Sequence, residues 1–159
     1  MKQATRLPLC RAFALSVLIG LSGVVGLVAP ATEALAVAPS LRSEDDTKDL
    51  VATVLDQLVA GQVKDAFRRL SQYWTLPPSE LAERIVEAGS ERSALRRRLG
   101  LSLGWESLSF ERAGERVIRI RSLERFERGA LVWRFVFYRA DTVWVIDSVR
   151  SSSDLEAAF

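Results

Sequence analysis

The sequence predicts an α+β domain in which three N-terminal helices pack on a curved, cone-like, four-stranded antiparallel sheet, behind an export signal. Three observations carry this prediction. Residues 12–29 form an uncharged apolar run after a basic start. Apolar residues then recur at helical spacing as far as Gly100. From Leu101 onward they alternate with polar residues, as in strands.

Residues 1–36 have the three parts of a Sec-type signal peptide. A basic start is followed by the apolar run, and a small-x-small cleavage pattern closes the segment at Ala34, Leu35 and Ala36. We therefore predict cleavage after Ala36 and a periplasmic or secreted bacterial protein. Because the run is about long enough to compete with a membrane span, an uncleaved membrane anchor is the alternative.

The first two helices follow a short lead at residues 37–42, which we expect to be mobile. Ser43 and Asp46 fit a capping box, so the first helix begins there and ends before Gly61. The second is indicated by the apolar spacing of residues 66, 67 and 70 and ends near the aromatic pair Tyr73 and Trp74.

The third helix is predicted to open at Pro78 or Ser79, because proline is favoured in the first helical turn. We expect an interruption near Gly89 and Ser90, after which the helix resumes as far as Gly100.

Four strands are predicted in close succession, and their short breaks indicate an antiparallel meander. The second is rich in arginine beside acidic neighbours, which is typical of an exposed sheet edge. The third is apolar on both faces, as expected of a central strand. The predicted ranges are 105–112, 116–126, 131–138 and 142–149, and residues 151–159 are expected to form a frayed tail.

Two absences exclude several kinds of chemistry. The chain has no histidine, and Cys10 is its only cysteine. Ser-His-Asp and Cys-His catalysis, zinc sites built from His or Cys, and internal disulfides are therefore excluded, and we expect no metal and no cofactor. Residues 1–36 hold three of the 22 basic and one of the 20 acidic residues, so 19 of each remain. A neutral domain does not attract nucleic acid.

Helices followed by a curled antiparallel sheet with a tryptophan-rich final hairpin resemble the nuclear-transport-factor-two-like superfamily, which includes ketosteroid-isomerase-like enzymes. The resemblance covers residues 43–150 and rests on element order and on the stretch from Leu131 to Asp147. It implies a conical pocket and a sheet face that often forms a homodimer. The cystatin-like fold is the nearest competitor, but it has one principal helix.

The resemblance implies a candidate catalytic pair. In ketosteroid-isomerase-like members a pocket carboxylate abstracts a proton and a tyrosine stabilises the enolate. Asp147 and Tyr138 on the last two strands are the residues of these types, with Asp56 and Tyr73 as further examples. A surface or ion-paired role is the alternative for Asp147.

The candidate ligand-binding residues are aromatic or basic. They are Tyr73, Trp74, Trp133, Arg119 and Arg121. A hydrophobic plug at a helix end is the alternative for the first two. A dense basic cluster at residues 92 and 96–98 either binds an anionic partner or forms a solvated helix end.

Together these features predict an exported domain that binds a small molecule or another envelope protein without catalysis. The alternatives are an enzyme that uses Asp147 and Tyr138, and a membrane-tethered interaction module.

Overall fold

The computed structural model describes residues 39–159; the proposed signal and its cleavage site after Ala36 lie outside the described residues. The described chain is α+β, as predicted: three helices precede four strands and a short 3₁₀ helix. These are α1 (Glu44–Val59), α2 (Val63–Ser71), α3 (Pro78–Leu99), β1 (Ser102–Ala113), β2 (Val117–Phe126), β3 (Gly129–Ala140), β4 (Val143–Ser152) and the C-terminal 3₁₀ helix (Leu155–Ala158).

The predicted capping box at the start of α1 is confirmed. Ser43 Oγ accepts a hydrogen bond from the Asp46 N–H at 3.0 Å, and the Asp46 carboxylate accepts one from the Ser43 N–H at 2.8 Å. These contacts satisfy backbone groups that a helix end leaves without partners. The backbone hydrogen bonds from Ser43 and Arg42 lower the pKa of Asp46 below its ordinary value.

The third helix runs without interruption from Pro78 to Leu99, so the predicted break near Gly89 and Ser90 is wrong. A single glycine in a helix costs only about 1 kcal/mol. The side chains of Ile85, Ala88 and Leu95 on the same helix pack against the core and offset that cost.

The four strands form one open antiparallel sheet in the order β1-β2-β3-β4. Because β2 lies between β1 and β3, its predicted position at an exposed edge is wrong. Its arginines instead alternate with Ile118 and Ile120, which are buried against the helices. We call the helix-packed face of the sheet the inner face, and the face that carries Arg119 and Arg121 the outer face.

Both ends of the domain are more ordered than predicted. Leu41, assigned to a mobile lead, is buried, and its carbonyl accepts a hydrogen bond from the Trp144 N–H at 2.8 Å. In the predicted tail, β4 continues to Ser152, and the C-terminal 3₁₀ helix then packs on β2 and β3. Asp154 caps that helix by accepting the Glu156 N–H at 3.1 Å.

Candidate binding cavity beside the third helix

A cavity of about 520 Å³ lies between α2, α3 and the second half of β4. Its size is within the range of small-molecule sites, which are concave and mostly apolar. Charged side chains surround its mouth, among them Arg84, Glu87, Glu91 and Arg150. Its apolar walls are formed by Leu58, Val63, Phe67, Trp74, Leu76, Ala88, Leu95, Trp133 and Val149.

The cavity exists because α3 does not close onto the sheet along its length. Within α3 only Leu99, at the C-terminal end, is buried. Ala88 faces the cavity from the middle of the helix, and its small side chain leaves the space open.

Arg92, which lines the cavity, forms an ion pair with the buried Glu124. Arg92 on α3 binds Glu124 on β2 through both terminal nitrogens: Nη2 donates to Oε1 at 2.6 Å and Nη1 donates to Oε2 at 2.8 Å. Arg92 Nη2 also donates to the Leu58 carbonyl at 2.6 Å. The Glu124 carboxylate accepts two further bonds, from Ser102 Oγ at 2.5 Å and Trp133 Nε1 at 3.0 Å.

This network positions the wall residues of the cavity. Glu124 is fully buried, and a buried charge is stable only when it is paired and hydrogen-bonded. Its four donors come from α3, β3 and the start of β1, so the carboxylate fixes α3 against the sheet and orients the Trp133 ring. Because each oxygen already accepts two hydrogen bonds, Glu124 acts as a structural anchor of the site.

The two aromatic residues at the end of α2 make different contacts. The Tyr73 carbonyl accepts a hydrogen bond from the Ile146 N–H at 2.8 Å, so this residue joins the segment to the edge of β4. Trp74 forms a parallel bridge with Ile146 and lines the cavity. Its indole Nε1 is buried with no hydrogen-bond partner among residues 39–159.

The predicted catalytic pair is not assembled in one site. Ser148 pairs with Val136 and Ile146 with Phe137, so Asp147 is the extra residue of a β-bulge. The bulge brings Asp147 to the cavity mouth, where its side chain is exposed. Tyr138 is on the outer face, 45% exposed, and does not line this cavity.

Asp56, the other carboxylate considered for acid-base chemistry, has a structural partner. Its Oδ1 accepts a hydrogen bond from Trp105 Nε1 at 2.8 Å, which joins α1 to β1. Like Tyr138, it lies outside the cavity lining.

The two predicted ligand-facing arginines of β2 are bound by a carboxylate of β1. Arg121 is 11% exposed; it donates from Nε to Ser109 Oγ at 2.9 Å and from Nη2 to the Glu111 carboxylate. Arg119 Nη1 lies 3.4 Å from the other Glu111 oxygen. The hydrogen bond from Ser109, and then that from Arg121, hold the pKa of Glu111 below its ordinary value.

The basic cluster of α3 does not form one patch. Arg92 is directed into the buried network around Glu124, whereas the arginines at 96, 97 and 98 occupy the last helical turn and are exposed. The sequence interpretation missed the Arg92–Glu124 pair. The sequence did contain an indication of it. Glu124 lies an even number of residues from Ile118 and Ile120 on the same strand, so its side chain shares their buried face.

No protein-family model matches this chain, and no curated protein or solved structure is significantly similar to it. Within residues 39–159 no helix is long and apolar enough to cross a membrane. The same range contains no group of three or more acidic side chains arranged to hold a metal ion.

Proposed function

We propose that this chain is an exported bacterial protein whose folded domain binds a small molecule with both apolar and polar groups in the cavity beside α3, without catalysis. The observation that carries the proposal is the cavity itself: about 520 Å³, with two tryptophans and several aliphatic side chains in its walls. Burying apolar surface of a guest there supplies about 25 cal/mol per Å². Polar side chains in the lining, among them Glu91 and Arg150, provide contacts for orientation.

The separation of Asp147 from Tyr138 supports a binding role over the predicted enzymatic one. Asp147 reaches the cavity mouth, but Tyr138 lies on the outer face of the sheet. Glu124 does not line the cavity, and its carboxylate is held by Arg92, Ser102 and Trp133 as a structural anchor.

The proposed location rests on the signal features of residues 1–36, and the proposed family on element order. Three helices followed by an antiparallel meander are in keeping with the nuclear-transport-factor-two-like superfamily. That superfamily includes both enzymes and binding modules, so the cavity, and not the fold, supports the function.

A fluorescent apolar probe tests the proposal. We expect the protein, purified after expression of the full chain, to bind N-phenyl-1-naphthylamine saturably with enhanced emission. Ala88→Trp fills the cavity from α3 and should abolish binding, whereas Val86→Trp, on the same helix but 71% exposed, should leave it unchanged. Equal binding by the wild type and Ala88→Trp, with both folded by circular dichroism, would contradict the proposal.

A further inference from the structure

Three arginines lie side by side across the outer face of the sheet. Arg121 on β2 pairs with Arg134 on β3, and Arg134 pairs with Arg150 on β4. Residues directly opposite each other in an antiparallel sheet share a face and have Cβ atoms about 5 Å apart. We call these three residues the arginine row.

The charges of the row are compensated at one end only. Arg121 binds Glu111 and Ser109 on the neighbouring strand. In the part of the chain that the structure describes, no carboxylate lies within 4.0 Å of Arg134 or Arg150, and neither donates a hydrogen bond. Two uncompensated like charges directly opposite each other destabilise a sheet.

Arg134 is also only partly hydrated. Its side chain is half-buried, and its Nε is buried with no acceptor among the described residues. The C-terminal 3₁₀ helix packs on β2 and β3. A buried guanidinium N–H without an acceptor is rare in folded proteins. The terminal nitrogens of Arg134 are not buried, and they are the donors that an anion can reach.

We propose that the arginine row is a binding site for a phosphate ester, held between Arg134 and Arg150 on the outer face. Two guanidinium groups carry two positive charges, which match a phosphate monoester near neutral pH. The planar fork of each arginine donates two parallel hydrogen bonds to such a group. The site shares Arg150 with the mouth of the cavity beside α3, but it lies on the outer face and does not depend on the function proposed for that cavity.

Arginine-detected NMR tests the site directly. On titration of the purified protein with glycerol 3-phosphate, we expect the Nε–H signals of Arg134 and Arg150 to shift saturably. Arg150→Gln, at an exposed position, and Arg134→Lys, which keeps the charge but removes the fork, should each weaken binding by about tenfold or more. No saturable shift at either signal would overturn the proposal.

Arg125→Gln is the matched control. Arg125 is exposed on the same face of β2, about 13 Å along the strand from Arg121, and its replacement removes the same charge. We expect it to change the affinity by less than about twofold. An effect as large as that of Arg150→Gln would show unspecific attraction to a basic surface and overturn the proposal.

Vesicle sedimentation distinguishes the two sources of such a group. Retention on phosphatidate-containing vesicles that is lost in Arg150→Gln but kept in Arg125→Gln would identify a lipid headgroup. Binding of glycerol 3-phosphate without vesicle retention would identify a soluble phosphate ester. Either result supports the site, and retention that is equal in both variants counts against it.

Discussion

At the scale of single residues, Glu124 determines how the inner face of the sheet and α3 fit together. Its side chain is fully buried, and Arg92, its ion-pair partner, is only 13% exposed. Charged residues are rarely buried to this extent unless they are paired. The pair therefore stabilises the native arrangement chiefly because either member alone would be a buried, uncompensated charge.

Replacing Arg92 should be strongly destabilising. Arg92→Ala leaves the Glu124 carboxylate buried with two of its four hydrogen bonds lost, so we expect the free energy of unfolding to fall by about 3–5 kcal/mol. Urea unfolding measures the loss. Arg96→Ala, at an exposed position on the same helix, should change stability by about 0.5 kcal/mol or less. A similar small effect for Arg92→Ala would refute the anchoring role.

Glu111 makes a pH-dependent contribution to the free energy of unfolding. Its folded-state pKa is lowered from the ordinary 4.5 by Ser109 and Arg121, so the folded state favours the ionised form. The stabilisation is therefore complete above about pH 4.5 and is lost as the pH falls through the lower, folded-state pKa.

The corresponding variant is Glu111→Gln. We expect the decrease in unfolding free energy between about pH 6 and about pH 3 to be smaller in this variant than in the wild type. Glu106→Gln, an exposed substitution on the same strand, serves as the control and should keep the wild-type slope. If the unfolding free energy of all three proteins depended on pH in the same way, Glu111 would make no such contribution.

At the scale of elements, α3 is continuous although its middle contains Gly89. The glycine has helical backbone geometry, and a Cβ added there meets no atom within 4 Å. Gly61, after α1, also has open space around it but has a φ of 78°, in the left-handed region that glycine tolerates best. A side chain would fit without a clash at both positions, but only Gly61 has a positive φ.

These two glycines give a matched pair of substitutions. Gly89→Ala should raise the free energy of unfolding by about 0.5–1 kcal/mol, because alanine loses less conformational freedom in a helix. Gly61→Ala should lower it by about 1 kcal/mol, since alanine is strained at positive φ. Thermal and urea unfolding measure both. Destabilisation by Gly89→Ala would mean that the helix is interrupted there after all.

The order and type of the elements were predictable because they depend on local patterns. The capping box at Ser43 and the alternation after Leu101 are visible in the sequence, and both are present in the structure. The position of β2 inside the sheet was not predictable, since an arginine-rich strand fits an edge as well as a central strand with one open face. Strand order depends on contacts distant in sequence.

The candidate site was only partly predictable, for the same reason. Trp74, Trp133 and Asp147 do line the cavity, whereas Tyr138 and the Arg119–Arg121 pair are on the other face. The bulge that brings Asp147 to the cavity mouth is a property of the paired strands β3 and β4, which periodicity within one strand does not reveal. The Arg92–Glu124 pair joins residues 32 positions apart.

At the scale of the whole molecule, the two faces of the sheet have different roles. The inner face, anchored by Glu124, holds α3 at a distance that leaves a cavity beside β4. The outer face carries the arginine row, whose exposed end at Arg150 also borders the cavity mouth. We propose that this cavity holds a small molecule in the protein's native setting.

Native mass spectrometry of the protein recovered from its native cells or their medium tests that proposal most directly. We predict a mass that includes a retained small molecule, which is lost in Ala88→Trp and kept in Val86→Trp, because only the first substitution fills the cavity. A bare polypeptide mass for the wild type, or a molecule that Ala88→Trp retains equally well, would contradict the account.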